Sequence, residues 1–153
     1  MSFESLIQYI GAAIFFTILI LLLIKRKDIK KFIPVGLFAI LYADIWCYIA
    51  EYLKIWSYPT RLFAQYTIVS IPFNYFALPV IVMVWIMFCP SSLKGKAIWA
   101  LSWSLFFISA EFGLTRYTKI LAYTNGFDIH ISFFLWLISW FIFYEFHVWI
   151  NSK

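Results

Sequence analysis

Three acids stand where an acid is hardest to keep. Asp44, Glu51 and Glu111 lie inside or at the edge of long apolar stretches. An ionisable side chain placed in hydrocarbon is costly, so it faces a bundle interior, water or a partner. Asp44 and Glu51 are seven residues apart, nearly two helical turns, and so share one helix face. Ala39, Ala43 and Cys47 make a small-residue stripe on that face, which lets a neighbouring helix approach closely. Asp44 falls near the middle of its stretch. Two roles fit it: a proton or cation relay, or an interhelical hydrogen bond. Glu51 and Glu111 fall near one boundary, with Lys54, Arg61 and Arg116 in the adjoining loops. Interfacial ion pairs are one expectation for them, and a shared polar pocket is the other. Asn74 adds a neutral polar group to the next stretch, close to Pro79, which is expected to kink that helix and free the carbonyl of Tyr75.

Other chemistry finds little support. Cys47 and Cys89 are expected to differ in depth by about 20 Å, against the roughly 7 Å between Cα atoms that a disulfide needs. His130 and His147 sit at opposite ends of the last stretch, and Glu145 points away from His147. Glu145 is expected to reach Lys94 or Lys96. There is no pair or cluster with metal-ligand spacing, no nucleophile–base pair and no cofactor signature. The expectation is therefore no catalytic residue, no metal and no cofactor.

The elements that position these residues follow from composition. The chain has 153 residues, 65% hydrophobic and 12% charged, with a mean hydropathy of +0.90. Soluble domains carry about a quarter charged residues, and a chain this short cannot bury so much apolar surface. The reading is an all-α polytopic transmembrane bundle in one domain, residues 1–153. Five spans are expected, at about 6–24, 32–53, 66–88, 97–114 and 131–150. The net charge of +5 does not call for nucleic acid. It comes mainly from Lys25, Arg26, Lys27, Lys30 and Lys31, with Lys94, Lys96 and Lys153 on the same side. The positive-inside rule then places the N-terminus outside and the C-terminus inside. The same five-residue basic cluster suits anionic lipid headgroups as well as topology. Trp56, Tyr58, Tyr66, Tyr117 and Tyr123 at one boundary, and Trp99 and Trp149 at the other, read as interfacial belts. A shift of 60 residues lays Ala50-Glu51-Tyr52 on Ala110-Glu111-Phe112, a candidate internal repeat that would make the two glutamates equivalent.

Several stretches resemble an uncharacterised family of small multi-span membrane proteins from spore-forming Gram-positive bacteria. They are RKDIKKFIPVGLFAILYADIWCYI, LKIWSYP, FALPVIVMVWIMFCP, the Ser109–Glu111 region and LAYTNGFDIHISFF. The resemblance implies a bacterial cytoplasmic membrane and carries no activity. Three functions remain: an accessory or structural membrane component, a small homo-oligomeric permease or ion-coupled carrier, and a lipid-active enzyme. The partners expected are the bilayer, and a second copy or another membrane protein. An enzyme has the least support, for want of a nucleophile.

Overall fold

The computed structural model describes residues 2–152. Lys153, one of the basic residues used above for orientation, lies outside the described residues.

Five helices make the fold: α1 (Phe3–Lys25), α2 (Ile33–Leu53), α3 (Leu78–Met87), α4 (Leu93–Tyr117) and α5 (Ile129–Asn151). A two-stranded antiparallel ribbon, β1 (Trp56–Ser57) with β2 (Ala122–Tyr123), joins the α2–α3 and α4–α5 loops. Sequence punctuation sets the ends. Ser2, Ser92 and Asp128 cap α1, α4 and α5 by accepting backbone N–H groups of the first turn. Lys54 closes α2 in the left-handed region, φ 52°.

Side-chain bonds fix which ends lie together. Gln8, near the start of α1, donates to the Thr60 carbonyl at 2.9 Å and accepts from the Leu62 N–H at 3.2 Å. The chain therefore starts at the strand end. Asn151, at the close of α5, donates to the Lys31 carbonyl at 3.2 Å. That places the close of α5 with the basic turn Ile29–Lys31, at the opposite end. Lys25, Arg26, Lys27, Lys30 and Lys31 are all exposed around this turn.

Four helices, α1, α2 with its preceding turn, α4 and α5, are long and apolar enough to cross a membrane. The expected span at 66–88 is shorter than read. Its helical part is Pro72–Met87, about 24 Å at 1.5 Å per residue, against about 30 Å of hydrocarbon. Residues 66–70 stay in the loop because Arg61 gathers it, donating to the carbonyls of Thr67 at 2.6 Å, Tyr58 at 2.7 Å and Ala64 at 3.3 Å. The span expected at 97–114 is longer, Leu93–Tyr117, because the Ser92 cap starts it early.

The break expected at Pro79 takes a different form. Pro72–Ala77 is a π-turn, and the Leu78 N–H reaches back five residues to the Phe73 carbonyl. Pro79 follows directly inside the same continuous helix, so the π-turn before it is where the helix absorbs the missing N–H.

Helix α3 is the centre of the bundle: Leu78, Val80, Val82, Met83, Trp85 and Ile86 are buried. It packs against α2 and α5, and α4 lies along α5. Trp85 and Trp140 stack at 5.1 Å in the core, and the Trp99 indole donates to the Trp85 carbonyl at 3.1 Å. Helix α1 is peripheral and buries Gln8 alone among its described residues.

Candidate functional site

The small-residue face of α2 is as read, with one change at its end. Ala39, Ala43, Cys47 and Ala50 are buried. The stripe closes on Ala50, and Glu51, 100° further round the helix, is exposed. Asp44 lies at the margin of the stripe. Its Oδ1 accepts from Asn74 Nδ2 at 2.8 Å and its Oδ2 from the Tyr75 hydroxyl at 2.6 Å. Asn74 Nδ2 also contacts Cys47 Sγ at 3.4 Å. Both partners of Asp44 come from the π-turn, so this acid clamps α2 to the start of α3. Of its two expected roles, the geometry provides the interhelical bond.

Glu111 has a different setting. Its Oε1 accepts from Trp136 Nε1 at 2.7 Å. Its Oε2 accepts from Ser132 Oγ at 2.5 Å and from the Tyr123 hydroxyl. Three donors thus converge on one carboxylate, from β2 and from successive turns of α5. Among the described residues the ion pairs expected for Glu51 and Glu111 are not formed: Arg61 is occupied by backbone carbonyls, and Glu111 by these three donors. Nor are the two glutamates equivalent, as the 60-residue shift implied. One faces outward and one inward, because their helices present different faces to the bundle.

Glu111 lines a cavity between α2, the π-turn, α4 and α5, below the strand ribbon. Its free volume is about 90 Å³, where roughly 10–15 Å³ suffices for one water. Helix α2 contributes Tyr42, Trp46 and Cys47, and the π-turn contributes Phe73 and Asn74. Helix α5 contributes Ser132, Trp136 and Ser139. The roof is Trp56, Tyr58, Tyr123 and Phe127. Trp46 and Trp56 lie 6.3 Å apart, and Trp56 and Tyr123 each lie 5.1 Å from Phe127. Trp56, Tyr58 and Tyr123, expected in an interfacial belt, are therefore cavity walls; Tyr66 and Tyr117 remain exposed as a belt requires.

The roof is tied down by the Thr124–Phe127 turn. Asn125 and Gly126 both have positive φ, 51° and 75°, and the Phe127 N–H closes on the Thr124 carbonyl at 3.0 Å. This turn reaches the end of α2: Thr124 Oγ1 donates to the Lys54 carbonyl at 2.5 Å and Asn125 Nδ2 to that of Leu53 at 3.3 Å. Burial, then the Cys47 thiol and the Glu111 carboxylate, push the Tyr58 phenol well above its ordinary range. Burial, then Glu111, does the same to Tyr123. Both phenols are therefore neutral at physiological pH, and Tyr123 is a donor to Glu111.

Asn74 Oδ1 is buried and accepts no hydrogen bond within the described residues. Both cysteines are free. The described residues hold no group of three His, Cys, Asp or Glu able to grip a metal ion. His147 stacks on Phe32 at 5.0 Å, and Lys96 sits 3.9 Å over the Tyr144 ring, where an approach to Glu145 was expected.

The site was half visible in the sequence. Glu111 and Asn74 stood out as intramembrane polar groups. Tyr123, Ser132, Trp136 and the Trp46–Trp56 wall did not. The spacing Ser132, Trp136, Ser139 is one helix face carrying three polar atoms, and that was the available signal.

The chain matches no protein-family model, no curated protein and no solved structure.

Proposed function

We propose that this chain is a solute-binding multi-pass membrane protein of the small-permease class, with Glu111 as the residue that reads the solute. One observation supports the reading above others: a carboxylate inside an aromatic-walled cavity with no lysine, arginine or histidine in its lining. A buried acid that served packing alone would need no void beside it. The cavity is complete within one chain, so a homo-oligomer is not required to build the site. In this reading the strand end faces outward and the basic turn faces the cytoplasm, its five cations among lipid headgroups. The resemblance to small membrane proteins of spore-forming Gram-positive bacteria is what supports reading that membrane as a bacterial cytoplasmic membrane.

The test is a thermal-shift screen of the purified protein in detergent, with small anions, neutral solutes and cations. A ligand at 100 times its Kd adds about 2.7 kcal/mol to stability. At least one class should raise the Tm of the wild type and leave that of Glu111→Gln unmoved. No shift from any class would contradict the reading. Flux of that solute in liposomes then separates a permease from a binding protein.

The accessory-component reading keeps one supporting observation. Helix α1 packs Phe15, Ile18, Leu19 and Leu22 against the bundle and leaves Ile10, Ile14, Ile20 and Leu21 exposed, an apolar face open to lipid or to another span. It requires a specific membrane partner to co-purify after mild extraction. Recovery of this chain alone would count against it.

A further inference from the structure

We infer that the solute of this cavity is a small alkylated ammonium ion. The inference rests on the solute-binding reading above and names its substrate class.

Charge is the first ground. Glu111 is the acid of the lining, and no base lies beside it. Low-dielectric walls focus the field of such a charge and favour a cation. The second ground is what the carboxylate has left to offer. Trp136 occupies Oε1, and Ser132 and Tyr123 occupy Oε2. A hard metal ion must replace its hydration shell with about six oxygen ligands. No group of three His, Cys, Asp or Glu exists among the described residues to supply them. An ammonium nitrogen covered by methyl groups needs no hydrogen bond and no coordinating oxygen.

The third ground is the wall. Trp46, Trp56 and Phe127 form a run of rings at centroid spacings of 6.3 and 5.1 Å. Ring faces attract a cation within about 6 Å of the centroid, and alkylated ammonium ions are the ligands most characteristic of aromatic cages. Size is the fourth. The free volume of about 90 Å³ suits about six to nine water-sized groups, at roughly 10–15 Å³ each. A choline-sized ion falls in that range.

The experiment compares choline with 3,3-dimethylbutan-1-ol, in which carbon replaces the charged nitrogen. Calorimetric titration of the full chain in nanodiscs should give choline an affinity at least about tenfold higher. Glu111→Gln should cut that preference several-fold and change the alcohol's affinity by less than about twofold, which also shows that the variant is folded. If Glu111→Gln does not fold, Trp56→Leu carries the test, weakening choline about tenfold and the alcohol less. Equal affinities in the wild type would overturn the ammonium assignment and leave the solute-binding reading standing. Binding of neither compound, together with a silent solute screen, would overturn both.

Discussion

Replacing Asp44 with alanine removes two hydrogen bonds at once, to Asn74 Nδ2 at 2.8 Å and to the Tyr75 hydroxyl at 2.6 Å. Both cross from α2 to the π-turn, and the second half of α3 depends on the register they set. A hydrogen bond to a charged group contributes about 1.5–3 kcal/mol in water-soluble proteins. Between membrane helices the measured average is nearer 0.6 kcal/mol, with a maximum of about 1.7, because the separated helices find other partners. The lower scale applies to Tyr75, which is 42% exposed and free to find another partner. The upper end applies to Asn74, which is 1% exposed and would lose its strongest acceptor. The expected cost of Asp44→Ala is thus about 2–3 kcal/mol. A double-mutant cycle with Asn74→Ala, read by unfolding in mixed micelles, should give a coupling of about 1–2 kcal/mol. Asp44→Asn should restore part of it through one neutral bond. A coupling near zero would refute the clamp and return Asp44 to the role of a relay.

Other consequences can be checked independently. Gln8→Ala should free the start of α1 from the 58–66 loop at a cost of about 1–2 kcal/mol, seen as faster hydrogen exchange at Leu62. Gly95→Ala should cost about 1–3 kcal/mol, because the new Cβ would meet Pro90 Cβ at 2.7 Å and Ser92 Oγ at 2.8 Å, disturbing the cap of α4. By contrast, the Cβ of Gly36→Ala would press on the flexible Met83 side chain at 3.1 Å and touch the Pro79 carbonyl at an ordinary 3.6 Å, and the substitution should cost less in the same thermal-unfolding assay. Burial pushes the Cys89 thiol up, with Lys96 opposing. Its thiolate fraction is then lower than that of a free cysteine at pH 8, and alkylation of Cys89 should still be accelerating above pH 9.

The sequence carried the helices and the inward face of α2, because both are periodic properties of local segments. It also marked Asn74 and Glu111 as polar groups in apolar stretches. It did not separate Glu51 from Glu111. The two lie at similar positions in their stretches, and only the rotation of each helix decides that one meets lipid or water and the other meets Trp136. The π-turn was hidden for a related reason. Pro79 announces a break, but the extra residue that absorbs it depends on Asp44 holding Asn74 and Tyr75 from another helix. The roof was misread as a belt because Trp56, Tyr58 and Tyr123 have the right composition for an interface. Their inward orientation follows from the Thr124 and Asn125 bonds to the end of α2, which no local pattern specifies.

Cys47 makes the central claim measurable without an introduced cysteine, since it lies on the cavity wall. In a Cys89→Ser background, its rate of modification can be followed with two methanethiosulfonates, one carrying trimethylammonium and one carrying sulfonate. A water-accessible cavity governed by Glu111 predicts that the cationic reagent reacts about tenfold faster or more, and that Glu111→Gln brings the two rates together. Equal rates in the wild type, or a slower cationic reagent, would contradict the account.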